Sequence, residues 1–260
     1  MNRLSGEIAI VTGGAKGIGR AIVEVFAGEE RASVVLADRD REQGMLTAAE
    51  IGSQNKNVRF IECDVSDERQ VNEMVAQTIE AFGRVDVLVN NAGVNFVKPF
   101  DQLSVQDWDG VINVDLRGVF LCTRACIEHF LRQGKGNVIN IASVHTVAAL
   151  PGAAPYDAAK CGVVGMTKSL ATEYAARNLR FNCISPGLID TQIWRDILAS
   201  AEDREACQAH WWANIPAGRV GKPQEIARIA AFLASSDSDY INGANLLADG
   251  GMTSQLISRE

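Results

Sequence analysis

The sequence predicts an α/β fold, a single domain in which a doubly wound parallel sheet is covered by helices on both faces. Three observations carry this. Short apolar runs recur along the chain and alternate with longer stretches of helical pattern. A cluster of glycines separates the first apolar run from the first helix. No linker, composition break or repeat beyond the strand–helix unit divides residues 1–260, and an apolar content of 47% suffices for one substantial core.

Charge and composition narrow the function. A net charge of −7 and an isoelectric point near 5.1, with no basic patch, exclude a nucleic-acid partner. No apolar run is long enough for a membrane span, and the N-terminus lacks a charged-then-apolar targeting pattern. The six cysteines, 63, 122, 126, 161, 183 and 207, are scattered through apolar segments. Cys122 and Cys126 share a helical face without His or carboxylate partners at metal spacing. They read as reduced core or interface residues, with no metal site, which fits the cytoplasm.

Taken in order, Ile8 to Thr12 is a buried strand. Gly13, Gly17 and Gly19 punctuate the turn after it, which also contains Lys16, and a helix follows from about Ile18. Glycines here let the backbone approach a pyrophosphate at a helix N-terminus. A second strand, Ser33 to Asp38, places a carboxylate about twenty residues past the glycines, where it binds both hydroxyls of an adenosine ribose and repels a 2′-phosphate. Lys16 and Arg39 pull the other way. The balance predicts NAD, with NADP the less favoured cofactor.

Arg41 to Gln54 reads as a helix and Val58 to Glu62 as a strand that ends at Asp64 and Val65. Asp64 suits the adenine amine or the cap of the next helix, Asp67 to Phe82. Val85 to Val89 runs into Asn90, Asn91, Ala92 and Gly93. In parallel sheets ligands sit beyond the carboxyl ends of the strands, where these residues fall. Trp108 to Arg132 reads as one long helix with Asn113 inside it, a mildly unfavourable position for Asn. Asn113 either places its carbonyl, or a local kink, near the Lys160 ammonium through water, or is an ordinary polar helix residue. Asn137 to Ile141 is a strand that leads into Ser143, and Phe181 to Ile184 another that ends near Pro186 and Gly187. Ile189 and Thr191 continue that edge of the nucleotide site. Residues from about 188 to 215, polar and aromatic with helical stretches, form a lid. Gln224 to Ala234 is a helix and Ala244 to Ala248 the last strand.

The chemistry gathers between Ser143 and Lys160. The helix after Pro155 puts Tyr156 and Lys160 one turn apart on a shared face. A free tyrosine titrates near 10; a neighbouring ammonium favours the phenolate and makes the phenol a usable general acid/base. Ser143 is placed to hydrogen-bond the reacting oxygen.

The ordered set Thr12-Gly13-x-x-x-Gly17-x-Gly19, Asn90-Asn91-Ala92-Gly93, Asn113, Ser143, Tyr156-x-x-x-Lys160 and Pro186-Gly187 resembles the short-chain dehydrogenase/reductase family, and the likeness runs from Val11 to Gly251. It implies a Rossmann-type sheet of seven parallel strands, a nicotinamide cofactor, hydride transfer at a secondary alcohol or ketone, and a homotetramer. It implies Tyr156 as acid/base, Ser143 as orienter of the substrate oxygen, Lys160 as the group that lowers the tyrosine pKa and holds the nicotinamide ribose, and Asn113 as support for a proton relay. Asp38 marks the NAD-preferring branch.

The loop Ser143-Val144-His145 is similar to that of 3-hydroxybutyrate and some glucose dehydrogenases. Ala153 stands where the hydroxybutyrate enzymes carry a carboxylate-binding lysine. A sugar, polyol or other small neutral hydroxy compound is therefore expected, with Asn95, His145 and Trp194 as substrate contacts and Trp211 and Trp212 beside them. The alternative is an NADPH-dependent ketoreductase of the 3-oxoacyl-carrier type, which would dock an acidic carrier on basic residues such as Arg117, Arg124 and Arg132.

Overall fold

The computed structural model describes residues 2–53 and 57–255. In chain order it runs β1 (Ile8–Thr12), α1 (Gly17–Glu24), β2 (Ser33–Asp38), α2 (Arg41–Gly52), β3 (Val58–Glu62), α3 (Glu68–Phe82) and β4 (Val87–Asn90). There follow α4 (Val105–Ile112), α5 (Gly118–Gln133), β5 (Gly136–Ile141), α6 (Ala154–Tyr174), β6 (Leu179–Pro186), α7 (Gln192–Ser200), α8 (Arg204–Ala213), α9 (Pro223–Ala234) and β7 (Asn245–Ala248). The end of the second helix expected at Gln54 lies outside the described residues. Among those described, no helix is long and apolar enough to cross a membrane.

The seven strands pair in the order β3-β2-β1-β4-β5-β6-β7, all in parallel. β1 is buried at every position, which its unbroken apolar run requires, because both faces of the sheet are covered. The two-residue pleat divides it. Ala9, Val11, Val34 and Leu36 pack with α1 and α9 on one face, and Ile10, Val35 and Leu88 with α3 and α5 on the other. The strand order reverses between β1 and β4, so their carboxyl ends diverge and open a crevice.

The expected Trp108–Arg132 helix begins earlier and is interrupted. Ser104 and Asp107 form a capping box that starts α4 at Val105. Asn113–Arg117 is then a π-helical turn before α5 continues. The insertion lies against β3's exit loop, where a Cβ on Gly118 would stand 2.8 Å from Val65 Cγ2. Such a turn offsets the helical face. Asp115 is consequently fully buried, while Asn113 points outward and is exposed.

Candidate active site

A continuous cavity of about 600 Å³ runs across the carboxyl ends of β1 to β6. One end is built on the glycine turn. Gly13 and Gly17 have φ of +62° and +56°, conformations that favour glycine. A Cβ on Gly13 would sit 2.8 Å from Ala92 Cα, so the loops after β1 and β4 touch only because the side chain is missing. Asn91 ties them together, its Nδ2 donating to the carbonyls of Thr12 and Gly13. Asp38 closes this end. Its carboxylate accepts from the backbone N–H of Ala15 and of Asp40, each at 3.0 Å.

The other end carries the residues expected to act as acid and base. Tyr156 and Lys160 project from the first turns of α6, and Ser143 from the end of β5; all three line the cavity. The Lys160 ammonium lies 5.3 Å from the Tyr156 ring centroid and donates to the Ile141 carbonyl at 3.2 Å. Asp115 Oδ2 is 3.1 Å from Nζ, at an angle that makes this a contact of charges rather than an aligned hydrogen bond. The other Asp115 oxygen accepts from Val94 N–H. Burial alone would depress the Lys160 pKa, but the Asp115 carboxylate, with Tyr156, holds it above the ordinary lysine value. The nearby Cys183 thiol is pushed up to about 11 by burial and remains neutral. His145 lines the cavity with its ring edge-on to Tyr156 at 5.2 Å, and Asp157 holds its Nδ1 at 2.5 Å.

Of the residues expected here, Gly13, Lys16, Gly17, Ile18, Asp38, Asp64, Val65, Ala92, Gly93, Pro186, Gly187, Ile189 and Thr191 line the cavity, as do Asn95 and His145. Four others lie elsewhere. Asn113 is turned to solvent by the π-turn, and Asp115 occupies the place beside Lys160. Asn90 is buried one layer down, its Nδ2 donating to Asn140 and Thr123. Gly19 sits beneath the turn, where a Cβ would come within 2.1 Å of the Gly13 carbonyl oxygen. Trp194 is buried behind the wall, edge-on to Trp211, and it is Trp211 that faces the cavity. Asp157 had no sequence signal beyond its adjacency to Tyr156. Among the described residues no group of three or more His, Cys, Asp or Glu side chains could hold a metal.

The chain is similar to known proteins over nearly its full length. The family model described as "Enoyl-(Acyl carrier protein) reductase" matches residues 13–253. A 3beta-hydroxysteroid dehydrogenase 1 of Eggerthella lenta is 40% identical, over 96% of this chain and 95% of that protein. The 3-oxoacyl-[acyl-carrier-protein] reductase FabG of Thermotoga maritima is 38% identical, over 96% and 99%. The crystal structure of levodione reductase superposes with a TM-score of 0.92 at 34% identity, covering 98% of this chain and all of that one. Matched in sequence and fold from the glycine turn to the last strand, the chain belongs to the short-chain dehydrogenase/reductase family of oxidoreductases.

Proposed function

We propose that the protein transfers a hydride reversibly between NAD(H) and a neutral secondary alcohol or ketone. The observation that carries this is the meeting of Ser143, Tyr156 and Lys160 on one wall of a cavity whose far end is Asp38. The chemistry the dinucleotide supplies is hydride acceptance and donation. Tyr156 gives or takes the proton at the substrate oxygen, and Ser143 donates a hydrogen bond to the same oxygen. Lys160, as an ammonium, favours the phenolate. Asp38 uses its remaining lone pairs for the ribose hydroxyls.

The substrate end supports a neutral ligand. Its walls are largely apolar, from Val94, Leu150, Ala153, Leu188, Ile193 and Trp211, while its cation, Lys160, is committed to Asp115. Asn95, His145 and Gln192 are left for hydroxyl contacts. Among sugars, polyols and small hydroxy compounds, this wall favours a hydroxy compound with an apolar body, in line with a relative named for a hydroxysteroid. The 38% identity to a 3-oxoacyl-carrier reductase supports a second reading, an NADPH-dependent ketoreductase. Of the basic row expected to dock such a carrier, Arg117 donates to the Ser66 carbonyl, Arg124 pairs with Glu68, and Arg132 contacts His129.

We take α7 and α8 as the lid over residues 188–215, because Ile193, Ile197 and Trp211 reach the cavity from them. The assembly we propose is a homotetramer, supported by the exposed apolar side chains Trp108, Phe120 and Leu247. A cytoplasmic location is supported by six free cysteines.

Tyr156→Phe tests the catalytic reading. Turnover is expected to fall about 10²–10⁴-fold, the usual share of a positioned acid/base, with NADH affinity kept within a few-fold. A variant that keeps a tenth of wild-type turnover in a chemistry-limited assay would remove Tyr156 from this role.

A further inference from the structure

Two cations stand at the ribose end of the cavity, Lys16 and Arg39, and each is a ready partner for a ribose 2′-phosphate. Only one of them is disengaged. Arg39 is exposed, whereas the Lys16 ammonium lies 2.7 Å from Asp40 Oδ2. Asp40 is itself fixed on every polar side. Its backbone N–H donates to Asp38 Oδ1 at 3.0 Å. Its Oδ1 accepts from Gln43 N–H at 3.1 Å, which caps α2. Its carbonyl accepts from Gly44 N–H. The lysine is therefore brought to a carboxylate that cannot follow it elsewhere.

We infer that Asp40 is a second determinant of cofactor choice, which acts by holding Lys16 in an ion pair and so withholding it from a 2′-phosphate. The inference rests on the NAD reading above. Lys16 and, next, the Gln43 N–H hold the Asp40 carboxyl below its ordinary range.

An exposed ion pair contributes little to stability, and stability is not its role here. A 2′-phosphate carries a charge of about −1.5 to −2. It would meet Asp38 directly, and it would have to share Lys16 with the Asp40 carboxylate, a second negative charge beside it. Selectivity is thus built twice, once by the carboxylate that takes the ribose hydroxyls and once by the carboxylate that occupies the competing cation.

The test measures dissociation constants of NADH and NADPH from nicotinamide fluorescence, which needs no substrate. Asp40→Asn keeps a capping side chain and removes the charge; its melting curve controls for folding. Wild type is expected to favour NADH. Asp38→Ala should strengthen NADPH binding, and Asp38→Ala/Asp40→Asn should strengthen it about tenfold more, the value of one charge-assisted contact. Adding Lys16→Met to the double variant should remove that increment. Lys16→Met alone, in the wild-type background, should lower NADPH affinity by less than about threefold, because the cation is already shared with Asp40.

The outcomes separate the two readings. Wild type favouring NADPH overturns the NAD reading and this inference together. Wild type favouring NADH, with no gain from Asp40→Asn over Asp38→Ala or with a gain that survives Lys16→Met, overturns this inference alone. So does a several-fold loss of NADPH affinity in Lys16→Met, which needs no Asp40 variant to fold.

Discussion

Among single side chains, the buried pair of Lys160 and Asp115 sets the energetics of the site. Lys160 is 4% exposed and Asp115 is fully buried, so each charge depends on the other. Removing one partner of such a pair typically costs about 3–5 kcal/mol, because the other is left uncompensated. Asp115→Asn is expected to lose about 3 kcal/mol in denaturant unfolding, and a loss under about 0.5 kcal/mol would show that Asp115 is not the counter-charge of Lys160. The pH sign follows from the raised Lys160 pKa. The stability it contributes is present below the unfolded lysine value of about 10.4 and is lost as pH rises through the higher folded value.

At this scale the sequence was legible where spacing along the chain carries the meaning. Tyr156 and Lys160 are one helical turn apart, and Asp38 ends a strand. It was not legible at Asp115. Ordinary helical periodicity gives no reason to prefer position 115 to 113, and the π-turn that separates them ends at Gly118, which lies close against Val65.

At the scale of elements, β1, β2 and β3 run as their apolar patterns predict. β6 is longer than its apolar centre, Phe181 to Ile184, and extends from Leu179 to Pro186. Its polar residues are satisfied inside. Arg180 donates to the carbonyls of Leu233 and Ser235, and Asn182 to that of Ile241. Hydropathy hides this, because a buried polar residue with its partners met looks like a strand break. β4 starts at Val87 rather than Val85, and Asp86 just before it turns its carboxylate to Ile8 N–H.

The glycine turn supplies the element-scale prediction. A Cβ at Gly19 would fall on the Gly13 carbonyl oxygen, a backbone atom that no rotamer relieves. Gly19→Ala should therefore destabilise the fold by about 3 kcal/mol, the upper range for overpacking. It should also weaken NADH binding at least tenfold although residue 19 does not reach the cavity. Wild-type melting together with wild-type NADH affinity would show that α1 can step away from the turn at no cost.

At the scale of the whole molecule, the position of the site followed from topology. Once strands and helices alternate, the crevice lies where the strand order reverses, here between β1 and β4. The substrate wall was less legible, because it is assembled from side chains of the β4, β5 and β6 exits and of the lid, and which tryptophan faces inward depends on how α7 packs against α8. The outer surface carries its own expectation. Trp108, Phe120 and Leu247 are 37%, 45% and 43% exposed on α4, α5 and the edge strand β7, apolar side chains that the proposed tetramer would have to cover. Light scattering is expected to give a mass of four chains, and a monomer mass at micromolar concentration would sink the tetramer.

The two helices after β6 differ from the rest in how little they give to the core. α8 buries no side chain, and α7 buries Trp194 and Leu198. The residues we propose to fix cofactor choice lie far upstream, around the exits of β1 and β2. The lid's share of the ligand wall and the proposed determinants of redox currency are therefore written in separate passages of the gene. A recombination breakpoint just after Gly187 and another before α9 would exchange the lid while leaving Asp38 and the strands β1 to β6 untouched.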